Sequence, residues 1–225
     1  MDSDERQTVV PAPRARTPLV ESSARSVDDV AGLSALFEDR VNVVTLSRRL
    51  EPALIEEARM VLARPSFRLL MSVAPGEGPS AFGPHTTALP HLAAELHFWT
   101  DVLAELTGCE LVGVRLARLE TAMCPRFHID KVTVRVVSTF VGSGTEYLAE
   151  EDVDRRWLGH AAQGRSDEAS GLCRSGARTR RAEAGDVVLL KGEAWPNNAG
   201  RGAVHRSPRA SAESPRLVMT LDPVA

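Results

Sequence analysis

The chain has little cysteine. Its three, Cys109, Cys124 and Cys173, stand at no paired and no C-x-x-C spacing, which argues against a disulfide framework or a cysteine-rich zinc module and fits a reducing cytoplasm. Long apolar runs are missing as well: none approaches the roughly 18 residues that span a bilayer. The first residues, with Asp2, Asp4 and Glu5 followed by Pro, Arg and Ser, lack the apolar core of a secretory segment. Lysine is almost absent, with Lys131 and Lys191 against 25 arginines, a bias that reflects nucleotide composition more than function. Excess positive charge is missing too, since the formal net charge is −3 and the arginines are scattered rather than gathered on one face. The expectation is a cytoplasmic protein that engages neither nucleic acid nor membrane and acts on a small-molecule or protein substrate.

Familiar catalytic motifs are also lacking. There is no G-x-S-x-G elbow, no phosphate-binding glycine loop and no H-E-x-x-H helix. With 43% apolar and 25% charged residues, the chain has the composition of an ordinary globular protein, and 225 residues suit one domain with a sizeable core.

Residues 1–27, rich in Pro, Arg, Ser and Thr without periodicity, read as a disordered tail. The rest, 28–225, reads as a single α+β domain. Short-helix spacing covers Asp28 to Phe37, and Val41 to Leu46 reads as a strand. Pro52 opens a helix carrying Leu54, Ile55, Ala58, Val61 and Leu62, which stops before Pro65. The Pro- and Gly-rich stretch from Pro75 to Pro84 reads as a loop. A longer helix from Leu89 to Leu106 aligns Leu92, Leu96, Trp99 and Leu103 and ends at Gly108. From about residue 109 the character changes to strands: Val112–Leu116, Val132–Val137, the interval between Gly185 and Gly192, Ala203–His205 and Arg216–Leu221, with a Gly-Ser-Gly turn at Gly142 to Gly144. The predicted architecture is a helical N-terminal half packed on a jelly-roll, cupin-like core.

The candidate chemistry lies at the break between two of these strands. His128 and Asp130 are two apart, hence on one side of an extended segment, and His205 follows Asp130 by 75 positions. Two His and a carboxylate are the facial ligand set that leaves half of an Fe(II) shell open. Arg216, eleven positions after His205 and entering the next strand, is placed to grip a dicarboxylate cosubstrate. Cys124 allows a rival zinc site with His128, Asp130 and His205. His160 is a lesser alternative to His205, because it lies in a loop-like stretch beside Gly159. His85, His91 and His97 read as packed or solvated imidazoles. Arg126 and Lys131 flank the H-x-D, able to attract an anion or simply to be solvated, and Glu193, Trp195 and Asn197 either line the mouth or form a turn with Pro196. The cluster Arg174, Arg178, Arg180 and Arg181, with the acidic run from Glu146 to Asp154, reads as a solvated loop.

Four blocks, Cys124 to Asp130, Gly142 to Glu146, Gly185 to Trp195 and Gly202 to Pro208, resemble the bacterial family of unknown function numbered 1826, over roughly residues 28 to 222. In broader outline the same blocks resemble the double-stranded β-helix of Fe(II)/2-oxoglutarate oxygenases. That resemblance implies Fe(II) at His128, Asp130 and His205, and 2-oxoglutarate held by Arg216.

Overall fold

The computed structural model describes residues 22–224. Pro52 and Pro90 each sit in the first turn of a helix, where the missing N–H has no partner to lose. Helix α1 (Pro52–Leu62) buries Leu54, Ala58 and Val61, and α2 (Pro90–Thr107) buries Leu92, Leu96, Trp99 and Leu103, the stripe that 3.6-residue periodicity demands. Gly108 ends α2 with a φ of 69°, the left-handed cap that a Cβ would oppose. Among the described residues no helix is long and apolar enough to cross a membrane.

The strands are β1 (Ala24–Val27), β2 (Val43–Leu46), β3 (Arg68–Val73), β4 (Leu111–Leu119), β5 (Val134–Val141), β6 (Glu146–Leu148), β7 (Arg180–Arg181), β8 (Val187–Lys191), β9 (Val204–Arg206) and β10 (Arg216–Val224). Seven of them form a large sheet in the order β1-β2-β8-β5-β10-β4-β3, and β7-β6-β9 form a small one. The β1–β2 pair is parallel and the other pairings are antiparallel.

Alternation along the strands gives the large sheet two apolar faces. Val44, Val136, Leu189 and Met219 join the core that α1 and α2 cover. Their neighbours Val43, Val137, Val188 and Val218 pack instead against Tyr147 of the small sheet and against Ala182 and Ala203, which adjoin its outer strands. The result is helices, large sheet and small sheet in three layers. From β4 onward the chain passes back and forth between sheets: β4 is in the large one, His128 bridges to His205 beside the small one, β5 returns, β6 and β7 cross, and β8, β9 and β10 alternate.

Several expectations need correction. The N-terminal half is not simply helical, because β1, β2 and β3 all belong to the large sheet, which therefore draws on residues well before 109. Residues 1–21 of the expected tail lie outside the described residues, and Ala24–Val27, counted in that tail, is a strand whose neighbour Ser23 accepts from the Asn42 and Val43 N–H groups. The stretch from Asp28 to Phe37 is a 3₁₀ helix only over Ala31–Phe37. The loop expected at Pro75 to Pro84 contains a 3₁₀ segment, Pro79–His85. The arginine cluster is tied rather than loosely solvated: Arg180 pairs with Glu151 and Asp152, and Arg181 with Glu146.

Candidate metal centre

His128 and His205 face each other across a two-bond antiparallel bridge, each N–H donating to the other's carbonyl at 3.0 Å. Cross-strand partners share a face, so the imidazoles come together with ring centroids 4.4 Å apart. The Nδ1 of His128 meets the Arg126 carbonyl at 3.0 Å, and that of His205 meets the Ala203 carbonyl at 3.0 Å. A carbonyl there keeps the ring proton on Nδ1 and turns the Nε2 lone pair outward. Both Nε2 atoms point to Asp130, at 3.5 Å from Oδ1 for His128 and 3.3 Å from Oδ2 for His205. Two donors about 2.1 Å from one ion on adjacent octahedral positions stand about 3 Å apart. Side chains of His128, Asp130 and His205 thus offer three ligand atoms mutually within 4.8 Å, a set able to hold a divalent cation.

Asp130 is held from behind. Arg135, on β5, donates from Nη1 to Asp130 Oδ2 at 2.7 Å and grips Asp222 of β10 with Nε and Nη2, both at 2.7 Å. Burial pushes the Asp130 carboxyl up, but without a cation the protonated His128 and His205 rings donate to it from Nε2, and these bonds with the Arg135 charge outweigh burial and hold the group well below the usual carboxylate range. Burial lowers His128, and its bonds to Asp130 and the Arg126 carbonyl raise it further than burial takes away, so its net shift is upward.

Arg216 opens β10 and is 2% exposed. Its Nε donates to the Ser143 carbonyl and its Nη2 to Thr139 Oγ1 at 3.1 Å. Among the described residues no carboxylate forms an ion pair with it, and burial lowers its pKa to about 10. Gly142 makes room for it, since at φ 92° a Cβ there would approach Arg216 Cγ to 2.9 Å. His128, Arg135, His205 and Arg216 line one cavity of about 50 Å³ between the sheets.

The other sequence candidates fall elsewhere. Cys124 borders the same cavity but is exposed and outside the ligand cluster. His160 is exposed in a 3₁₀ turn. His91 meets Glu57, and His97 meets Asp101. Glu193 accepts the Gly200 N–H, Asn197 takes a φ of 60° and Trp195 packs on Phe37, which is the turn reading of that loop.

Sequence reasoning missed two supports. Arg135 had one visible sign, a charge interrupting the apolar run from Val134 to Val137. Asp167, 5% exposed, accepts the Phe127 N–H at 2.9 Å and Arg206 Nη1 at 3.0 Å, so the segment from Arg155 to Gly176 braces the strand that carries His128. Phe127, Leu148, Val153, Leu172 and Val204 close an apolar cluster beneath that brace.

Fold and site together define a two-sheet β-protein with helices on one face and a two-His-one-Asp candidate metal centre beside a buried arginine. Residues 27–222 match the family described as "Protein of unknown function (DUF1826)", and the chain belongs to that family. No curated protein matches it. Similar solved structures include the dioxygenase for auxin oxidation of rice, 17% identical with a TM-score of 0.47, covering 87% of this chain and 77% of that one. Another is dioxygenase for auxin oxidation 1 from Arabidopsis thaliana with 2-oxoglutarate, 10% identical with a TM-score of 0.48 over 90% and 92% of the two chains. HygX from Streptomyces hygroscopicus with iron bound is 13% identical, with a TM-score of 0.47 over 81% and 82%.

Proposed function

We propose that the protein is a cytoplasmic Fe(II)- and 2-oxoglutarate-dependent oxygenase built on a jelly-roll, or double-stranded β-helix, core. His128, Asp130 and His205 are its metal ligands, and Arg216 holds the far carboxylate of the cosubstrate. The observation that carries this reading is a single cavity lined by both imidazoles and by a buried guanidinium that has no carboxylate partner among the described residues. Fe(II) held by His128, Asp130 and His205 would supply oxygen activation.

The chain's own groups account for the rest. The Arg126 and Ala203 carbonyls fix the imidazole tautomers, and Arg135 fixes the carboxylate. An unneutralised buried cation is costly, and a carboxylate arriving between Thr139 and Ser143 relieves that cost with charge-assisted bonds. The rival reading, a non-catalytic zinc-handling module, takes Cys124 as a further ligand, and Cys124 borders the cavity but stands outside the cluster of three ligand atoms.

The test is elemental analysis of anaerobically prepared protein, joined to a visible-range titration with Fe(II) and 2-oxoglutarate. A weak charge-transfer band that requires both additions and is lost in His205→Ala is the expected result. One equivalent of zinc without such a band, or no stoichiometric metal, overturns the proposal.

A further inference from the structure

A second and larger cavity, about 690 Å³ and within the range of small-molecule sites, is lined by none of the triad residues but borders the cavity that is. It shares Arg206 and Ser207 with the cavity that holds His128, His205 and Arg216. The shared wall comes from the segments that carry the imidazoles: Ser207 is two past His205, and Arg126 precedes His128 by two, while Arg206 turns its side chain to the other face and packs on the Phe127 ring. We infer that this cleft is the substrate site, and that the substrate is a small molecule carrying a phosphate or carboxylate group away from its reacting end. The inference rests on the oxygenase reading for the word substrate, but its anion chemistry stands on the cleft alone.

Charge carries the argument. Five arginines, Arg126, Arg165, Arg181, Arg206 and Arg209, line the cleft against three carboxylates, Glu146, Asp167 and Glu168. The buried carboxylates are already engaged: Glu146 takes Arg181 and Arg206, and Asp167 takes Arg206 and the Phe127 N–H. Among the described residues no carboxylate forms an ion pair with Arg165 or Arg209. Arg165 is nonetheless positioned, with its guanidinium 5.0 Å from the Trp157 ring and its Nε donating to the Ala162 carbonyl at 3.3 Å. A held guanidinium loses less entropy on meeting an anion than a free one. Ser143 and Ser207 add hydroxyl donors to the same walls. A concave site with two uncompensated positive charges concentrates anions from solution, and guanidinium forks match phosphate and carboxylate geometry.

The experiment is amide-resolved NMR of the metal-free protein at constant ionic strength, titrated in separate arms with inorganic phosphate and with citrate. Saturable shifts at Arg165, Ser166, Ser207 and Arg209 in either arm are expected, and the arm that saturates first identifies the anionic group. The double variant Arg165→Gln/Arg209→Gln, which alters two exposed side chains, should keep the dispersed spectrum and bind about tenfold or more weakly. An absence of saturable cleft shifts in both arms, or unchanged affinity in the double variant, overturns the inference. The Fe(II)/2-oxoglutarate band is read on separate, phosphate- and citrate-free aliquots of the same preparation. Loss of that band in wild type with cleft binding intact would overturn the oxygenase reading and leave the anion site standing.

Discussion

Asp130 faces two imidazoles on one side and a guanidinium on the other, so ligation and positioning can be separated by substitution. Asp130→Ala should abolish stoichiometric Fe(II) binding while leaving the circular dichroism spectrum unchanged, since Arg135 keeps its bidentate hold on Asp222. Retained iron affinity in that variant would rule out the triad. Arg135→Met tests positioning rather than ligation: metal affinity measured by calorimetry should fall about 10- to 100-fold, the usual effect of removing a group that orients a ligand. Arg216→Leu should leave metal affinity within about threefold of wild type but weaken 2-oxoglutarate by about 100-fold, as loss of a buried charge-assisted pair does. These residues were unequally legible. His128 and Asp130 could be read because period-2 geometry forces i and i+2 to one side, and Arg216 because a charge heads an apolar strand. Arg135 acquires its role only from the register that sets it against Asp222, and a register between distant strands is not written in either strand alone.

Helix α2 begins at Pro90 with no capping side chain of its own, and a residue from another helix does that work. Glu57 of α1 accepts the His91 N–H at 3.2 Å, the Leu92 N–H at 2.7 Å and His91 Nδ1 at 2.7 Å. Burial pushes its carboxyl up, yet these bonds prevail and its pKa lies below the ordinary value of 4.5. In the acid range the unfolded chain therefore binds the proton more readily than the folded one. The stabilisation is complete above the ordinary carboxylate range and is lost as pH falls through the depressed value. Glu57→Gln should cost about 1–2 kcal/mol near neutrality, and the gap to wild type in urea melts should close as pH falls below the ordinary carboxylate value. A gap of constant size across that range would show that the carboxylate charge contributes nothing. The helices themselves were legible because proline and glycine punctuate them and their apolar stripe repeats. Strands β1, β3, β6 and β7 were not: β1 is a four-residue Ser/Arg edge, β3 places the apolar Leu70 on its exposed face so that its sequence does not alternate although its burial does, β6 is three buried residues in the acidic run read as a loop, and β7 is two arginines defined only by pairing with β6.

Across the whole molecule the site is assembled from parts distant in sequence, and Asp167 is where a peripheral segment meets it. The segment from Arg155 to Gly176 is polar, and no motif in it announces a task. Its task is visible only in three dimensions, where Asp167 reaches the Phe127 N–H one residue before His128 of the candidate metal site while Arg206 packs 4.3 Å from the Phe127 ring. Removing this carboxylate leaves a buried N–H without its acceptor, a loss of about 1–3 kcal/mol. Asp167→Ala should therefore lower global stability by that amount and speed exchange of the Phe127 amide at least about tenfold. If the clamp also couples the segment to the triad, Fe(II) binding will slow exchange both at Phe127–Asp130 and across Asp167–Leu172 in wild type. In Asp167→Ala the first stretch should still respond and the second should not. Equal protection of both stretches in the variant would mean that the segment is held by the apolar cluster around Leu172 and Val204, with Asp167 only filling a local hydrogen bond.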